Sequence, residues 1–506
     1  MGKMQKKILR PYLNNRCWVA TYLLLCLCAF TCCKEDFTTD GSKRLSYSAD
    51  TVKFDTVFSD VLTPTRKIMV YNQTEENIRI EECALQNISE CFQINVNGRS
   101  GTAFQNIEIE AGDSLHLFVQ LLIPEGEKEK PLLIEDFISF SYNGNQDRVI
   151  LSAYGQDVVR LPQDSILSDT VWSANKPFLI YNNLVVAEGA TLTIEAGTKI
   201  FLHDNAHIIV NGTILCNGEQ GSPIVFRGDR SDNITSTTSY DQLDNQWGGI
   251  HITKSSLGNV IKHTNIRNGN FGIRIDSATI DPTTPRLIIG NSQIHNVNQS
   301  ALRAKNANVY AYNSLFTCAG NGCVVLEGGE YLFNHCTVAD YTRGAGQYAF
   351  AVVLADKELY SDGSQLFPLL ALFNNCLIYG PIKNELYFEY EELNDNYNFH
   401  FNHCLIKYDG YQEEVLYEKY FNQPLWNELP HFKEVNITER KYDFHIDSLS
   451  AAKYKGDKAV LALYPECLTD KDGQTRENDS LPDIGAYQWV QTIVEEEEEE
   501  EENANP

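Results

Sequence analysis

The chain has 506 residues, 41 basic and 68 acidic side chains, and a formal net charge of −27. That balance argues against nucleic acid and anionic membrane surfaces as partners. The length allows several domains or one long solenoid, and 26 Tyr and 24 Phe beside 3 Met suit a strand-rich protein.

Lys3, Lys6, Lys7, Arg10 and Arg16 precede an apolar run from Cys17 to Cys32. The run is short for a membrane-spanning helix and carries its charges where a secretion signal has them. Residues 1–32 are therefore read as a signal peptide and 33–45 as a polar tether. The stretch Ala29-Phe30-Thr31-Cys32-Cys33 resembles the lipobox of bacterial lipoproteins. The resemblance implies lipidation at Cys32, with Cys33 the neighbouring alternative, and attachment to the outer membrane through the lipid alone. Lys34-Glu35-Asp36 resembles the signal that sends such lipoproteins to the cell surface. The alternative is secretion with soluble release.

Residues 46–160 alternate short strands and turns, among them Lys67–Tyr71, Phe92–Val96 and Ser114–Val119. About seven strands in this space predict a β-sandwich, and the strand order resembles an immunoglobulin-like spacer module.

From near Thr170 the strands shorten and regular corners appear. Leu184-Val185-Val186, Leu192-Thr193-Ile194 and Lys199-Ile200-Phe201 read as one coil of three strands. Gly189, Gly197, Gly212 and Gly218 fall where the chain turns and positive φ is easiest. One pattern then returns six times: apolar, any residue, Asn or His, Thr/Ser/Cys, any residue, apolar. Its third position is His263, Asn291, Asn313, His335, Asn375 and His403, at steps of 28, 22, 22, 40 and 28. A strand-rich repeat of this length marks a solenoid. Stacked coils place equal positions about 4.8 Å apart, so the six side chains are expected to form a hydrogen-bonded ladder. The polar stretch from Asp229 to Asn245, the segment Asp356–Leu366 and the region Lys383–Asn396 read as loops thrown off the coil.

These features, with Gln246-Trp247-Gly248-Gly249-Ile250 and Pro482-Asp483-Ile484-Gly485-Ala486-Tyr487, resemble right-handed parallel β-helix proteins of the pectate-lyase-like superfamily on the bacterial surface. The resemblance implies an all-β fold: a β-sandwich followed by a right-handed parallel β-helix over residues 161–410. Last rungs and a C-terminal cap then occupy 411–490, and an acidic tail 491–506. A cap is expected because an open solenoid end exposes unpaired strand edges.

Chemistry is sparse. The paired Asp motifs and the Gly-His-Gly of pectin-cleaving hydrolases do not occur. Arg267, Arg274, Asp276 and Arg303 lie on neighbouring coils and are candidate catalytic residues for a lyase, against the plainer expectation of a solvated sheet face. His263, His335 and His403 fit a ladder better than a metal site, and no Cys-x-x-Cys pair occurs to support zinc. Asp470-Lys471-Asp472-Gly473 resembles part of a calcium loop with Leu468 at the first ligand position, so a plain turn is the stronger expectation. Of 14 Cys, five lie between Cys17 and Cys33, in the signal segment and at the start of the tether. Cys83 with Cys91 and Cys318 with Cys323 could pair in an oxidising compartment, while Cys336, Cys376 and Cys404 share the corner column and suit buried thiols. Tyr387, Phe388 and Tyr390 are candidate sugar-stacking residues. The sequence thus points to an envelope lipoprotein that binds a glycan without cleaving it. The alternatives are a lyase or glycosidase acting on an acidic polysaccharide, and a purely structural envelope protein.

Overall fold

The computed structural model describes residues 36–491, except 87–90, 127–130, 162–163, 231, 235–237, 343–348, 360–364, 392–395 and 413–418. The signal segment with Cys32 and Cys33, and the acidic run from Glu495, lie outside the described residues. Two compact units are present, one of residues 1–124 and 133–154, the other of 125–132 and 155–506.

The first unit is a β-sandwich with ten strands among its described residues, three more than the sequence suggests. One sheet runs Ser46–Tyr47, Arg66–Tyr71, Ser114–Leu121, Phe92–Val96, Arg99–Gly101 in spatial order. The other runs Thr51–Phe58, Asn145–Gln156, Leu132–Tyr142, Ile78–Leu85, Ala103–Ile109. Alternate residues such as Leu115, Leu117, Val119 and Leu121 are buried. The sheets close over one core in which Tyr47 packs on Phe140 and Phe54 on Phe92, with ring centroids 5.0 and 6.1 Å apart. Cys83 points into this core as a thiol, and desolvation pushes its pKa up to about 12. It therefore forms no bridge with Cys91.

The second unit is a parallel β-helix whose coils each cross three faces. The first face carries Leu184–Val186, His207–Val210, Gly249–Ile252 and Ile273–Ile275; the second carries Thr191–Glu195, Thr213–Asn217, Asn259–Lys262 and Leu287–Gly290. These two faces share a 17-stranded sheet. The third face is an 11-stranded sheet that includes Ile224–Gly228, Thr264–Arg267, Gln293–Val297, Leu315–Ala319 and Thr337–Ala339. Its first member, Val159–Arg160, pairs in parallel with Phe178–Ile180, so the stack begins eleven residues before Thr170.

Inward positions stack like on like. Ile208, Ile250, Ile273, Leu302, Val324, Val352 and Leu386 follow one another in register, nearly all fully buried. Phe333, Phe373, Phe401 and Phe421 form a ring column with centroids 4.8, 4.7 and 5.1 Å apart and planes within 11° of parallel. This is the inter-strand spacing of a sheet imposed on side chains.

The chain turns from the second to the third face at His263, Asn291, Asn313, His335, Asn375 and His403, all with φ between 42° and 53°. Asn tolerates this left-handed conformation better than most residues, because its short polar side chain bonds locally. Each of the six donates its backbone N–H to the next coil, to Gly290, Tyr312, Asn334, Asn374, Asn402 and Asn422 respectively. Side-chain bonds link His263 to Asn291 (3.1 Å), Asn291 to Asn313 (3.1 Å) and His335 to Asn375 (2.9 Å). Elsewhere in the column other groups intervene: Arg476 Nη2 donates to Asn313 Oδ1, and Asn375 donates to the Asp457 carbonyl. The following small residue folds back on the turn, as in Ser292 Oγ to Gly290 O at 2.8 Å. Cys336, Cys376 and Cys404 occupy this position as buried thiols, and Cys318 and Cys323 are thiols as well. A seventh corner, Gln423 at φ 46°, continues the stack in different residues.

Of the predicted glycine corners, Gly189 and Gly197 have positive φ. Gly212 and Gly218 are needed for space instead, because a Cβ would lie 2.1 Å from Ala190 O and 2.3 Å from His263 O.

The C-terminal segment departs most from expectation. After the rung Phe421–Asn422 and Leu425–Trp426, the chain turns back along the side of the solenoid. The hairpin Phe432–Asn436/Lys441–Ile446 and residues 484–487 lie on outward side chains of the third face, Leu315, Ala339, Leu377 and Leu405. The short helix Ala459–Leu463 covers Tyr312 at the corner. Asp483, in the Pro482–Tyr487 motif, accepts from the N–H groups of Tyr454 (2.7 Å) and Trp489 (2.6 Å). The Gly485 and Ala486 amides reach Asn375 O (2.8 Å) and Thr337 Oγ1 (3.0 Å). The segment read as an end cap is thus a lateral strap.

Candidate functional site

The apolar contacts of the strap fall on the later coils of the third face. On earlier coils the outward side chains turn polar: Asn265 is in register with Gln293, and Arg267 with His295 and Thr317. They floor a cleft of about 770 Å³ that also takes in Asn296, Asn298, Gln299 and Asn321.

The cleft has two walls. One is the loop between the third-face strand Ile224–Gly228 and the first-face strand Gly249–Ile252, contributing Asp241, Gln242 and Asp244. Its base is the Gln-Trp-Gly-Gly motif. Trp247 is 1% exposed and its Nε1 donates to Arg267 O at 2.7 Å. Gly249 has φ 114°, with Phe271 O 2.4 Å from where a Cβ would sit. Asn268 Nδ2 donates to the carbonyls of Asp241 and Leu243 at 2.8 and 2.7 Å. The second wall is the strap hairpin, with Ile437, Arg440, Tyr442 and Phe444. The walls touch: Gln242 Nε2 donates to Glu439 O (2.9 Å) and Arg440 Nη1 to Gln242 O (2.7 Å).

His445 fastens the hairpin to the strap. Its ring stacks on Tyr487 with centroids 3.7 Å apart, its Nε2 lies 2.8 Å from Asp472, and its Nδ1 meets Asp443. Burial works against its charge, but the bonds to Asp472 and Asp443 leave its pKa above the ordinary value. Asp470 serves the same fold. Its carboxylate accepts the amides of Asp472, Gln474 and Gln488 at 2.9, 2.7 and 2.7 Å, which closes the turn. Among the described residues no group of three His, Cys, Asp or Glu converges as a metal site.

The four candidate catalytic residues divide between two places. Arg267 belongs to the third-face cleft, where its Nε and Arg227 Nη1 both lie 3.1 Å from Asp241 Oδ1. Arg274, Asp276 and Arg303 line a separate groove on the first face with Lys254, Lys305 and Glu358. There His251 Nε2 lies 2.8 Å from Asp276, and that bond holds the Asp276 carboxyl below its ordinary pKa. Arg303 grips the buried Glu327 through two bonds of 3.0 and 2.8 Å.

The aromatic trio does not present a common face. In the strand Leu386–Glu389 the alternation sends Phe388 inward onto Phe399, with centroids 4.7 Å apart. Tyr390 packs beside Tyr397 against the solenoid core, and Tyr387 stacks on Phe350 at 4.8 Å. Their ring faces are given to packing. The cleft residues Asn265, Gln293 and His295 escape single-sequence reasoning. The available signal is the switch of outward third-face positions from Asn265 and Gln293 to Leu315 and Leu377.

Residues 164–282 match the family model of the pectate-lyase-like beta helix domain. This pectate-lyase-like segment carries the loop wall and the floor strand Thr264–Arg267, while Gln293, His295 and the hairpin lie beyond it. No curated protein matches the chain. Among solved structures, the ASH/PapD-like domain of human CEP192 is similar at 10% identity over 24% of this chain and 92% of that one, with a TM-score of 0.17. A family 123 glycoside hydrolase from Clostridium perfringens is similar at 11% identity over 24% of this chain, TM-score 0.17. The VesB protease of Vibrio cholerae is similar at 13% identity over 23% of this chain, TM-score 0.16. This chain spans 26% and 33% of those two enzymes, and overlaps this slight carry no argument.

Proposed function

We propose that the protein is a cell-envelope lipoprotein whose β-helix binds a glycan in the third-face cleft without cleaving it. The observation that carries this reading is the register of Asn265 with Gln293 and of Arg267 with His295 and Thr317 beneath two walls. A ladder of side-chain amides at sheet spacing offers paired donors and acceptors to the hydroxyls of successive sugar units. The pectate-lyase-like match supports a carbohydrate-related role. In this reading the β-sandwich is a spacer and Cys32 carries the lipid that holds the protein at the outer membrane, facing the cell exterior.

Retention on immobilised polysaccharides tests the binding. Wild-type protein is expected to be retained on at least one. The Asn265→Ala/Gln293→Ala variant should lose about 1–3 kcal/mol of affinity, roughly tenfold or more. No retention on any polysaccharide, or full retention by the variant, would contradict the reading. Labelled fatty acid should enter the wild type and not Cys32→Ala; equal labelling would remove the anchor.

The alternative of cleavage draws on the first-face cluster of His251, Arg274 and Asp276. Unsaturated products or reducing ends released from an acidic polysaccharide, and lost in Arg274→Ala, would favour it.

A further inference from the structure

We infer that the third-face cleft selects a neutral glycan over an acidic one, an inference that rests on the glycan-binding reading above. Its floor is set by side-chain amides, Asn265, Gln293, Asn298 and Gln299, with the imidazole of His295 between them. His295 Nε2 lies 3.2 Å from Asn265 Oδ1, and desolvation, aided by the nearby Arg267 charge, pushes the pKa of His295 down to about 3. The ring is therefore neutral across the physiological range. Thr317, at a residue 1% exposed, closes the floor beside His295.

Of the cations lining the cleft, Arg267 is committed to a carboxylate, while Arg440 keeps its charge beside a neutral carbonyl. Arg267 is held to Asp241 at 3.1 Å, and Asp241 also holds Arg227. Arg440 donates to the Gln242 carbonyl at 2.7 Å. Asp241 and Asp244 line the same wall. Carboxylates accept hydrogen bonds from sugar hydroxyls, but a uronate or sulfate beside them meets like charge in a chain of net charge −27. Releasing Arg267 to meet an anion would strip Asp241 of a partner. Hydroxyl and acetamido groups match amides and a neutral imidazole without such a loss. The first-face groove holds Lys254, Arg274, Arg303 and Lys305 beside Asp276, Glu327 and Glu358, and it is the site that competes for a polyanion.

The test is titration of the full chain with two probe sets. One set holds neutral oligosaccharides: glucan, mannan and N-acetylglucosamine oligomers. The other holds oligogalacturonate and alginate. Each is run at low and high salt, with Gln293→Ala, Gln299→Ala and Lys254→Ala/Lys305→Ala variants whose unfolding transitions match the wild type. A neutral oligomer should bind with little salt dependence, weaken on the order of tenfold in Gln293→Ala, and be unaffected by the lysine pair. An acidic oligomer that binds more tightly and weakens in Gln293→Ala would overturn the neutral preference and keep the cleft. Acidic binding lost only in the lysine variant, with no neutral oligomer bound at all, would overturn both the preference and the choice of site. Silence from every probe would overturn the glycan reading itself.

Discussion

Arg476→Met should destabilise the second unit by about 3–5 kcal/mol and release the strap from the solenoid. The guanidinium is fully buried. It donates to Asn313 Oδ1 (3.2 Å), Gly485 O (3.1 Å), Ala486 O (3.2 Å) and Gln488 Oε1 (3.3 Å). Desolvation lowers its pKa, while the Asp470 and Asp483 carboxylates oppose that effect. Met nearly preserves the volume and removes every donor, which leaves buried acceptors unsatisfied. Because the strap hairpin forms one wall of the cleft, glycan binding should fall with it. The expected readout is faster proteolytic cleavage between Leu429 and Trp489 while the coils before Phe421 stay protected. An unchanged cleavage pattern and an unchanged unfolding transition would show that Arg476 does not hold the strap.

Glu385→Gln should flatten the dependence of stability on pH. The Glu385 side chain is fully buried and accepts the amides of Ile382 (3.1 Å) and Ala351 (3.2 Å). Desolvation first, then the neighbouring Asp340 charge, push its pKa up to about 8, with Lys407 opposing. Below about pH 4.5 the carboxyl is protonated in both folded and unfolded chains. Between there and about pH 8 the unfolded chain releases a proton that the folded chain retains. Stability therefore falls as pH rises through that window, by up to about 3–5 kcal/mol. Asp340, pushed up to about 6 by desolvation, adds a loss of the same sign at lower pH. The Gln variant loses one of the two acceptors and should start below the wild type near pH 4.5, but its stability should change less up to pH 8.5, giving a flatter profile. Parallel pH profiles for the two proteins would contradict this account.

The corner triplets made the solenoid legible in the sequence. A left-handed φ restricts the residue choice, and a side chain that bonds the next coil restricts it again. Gln423-Pro424 was missed because neither residue belongs to the Asn/His and Thr/Ser/Cys classes, although φ at Gln423 is 46°. The step of 40 includes not only 356–368 but also the connection 340–351, which links two faces and leaves no mark in the repeat. The strap resembles a cap in the sequence because its contacts, such as Arg476 with Asn313, join residues 163 positions apart. Strand alternation decides the fate of Phe388 and Tyr390, which a count of neighbouring aromatics does not register. The cleft needs a face, a loop and a returning hairpin at once, and only the face is periodic.

Hydrogen exchange with and without a retained glycan tests the central claim most directly. Ligand should slow exchange in Thr264–Arg267, in Gln293–Val297 and in the hairpin from Phe432 to Ile446. The first-face strands Gly249–Ile252 and Ile273–Ile275 should be unchanged. Protection that maps to the first-face strands, with the hairpin unaffected, would place the ligand in the other groove and contradict the account.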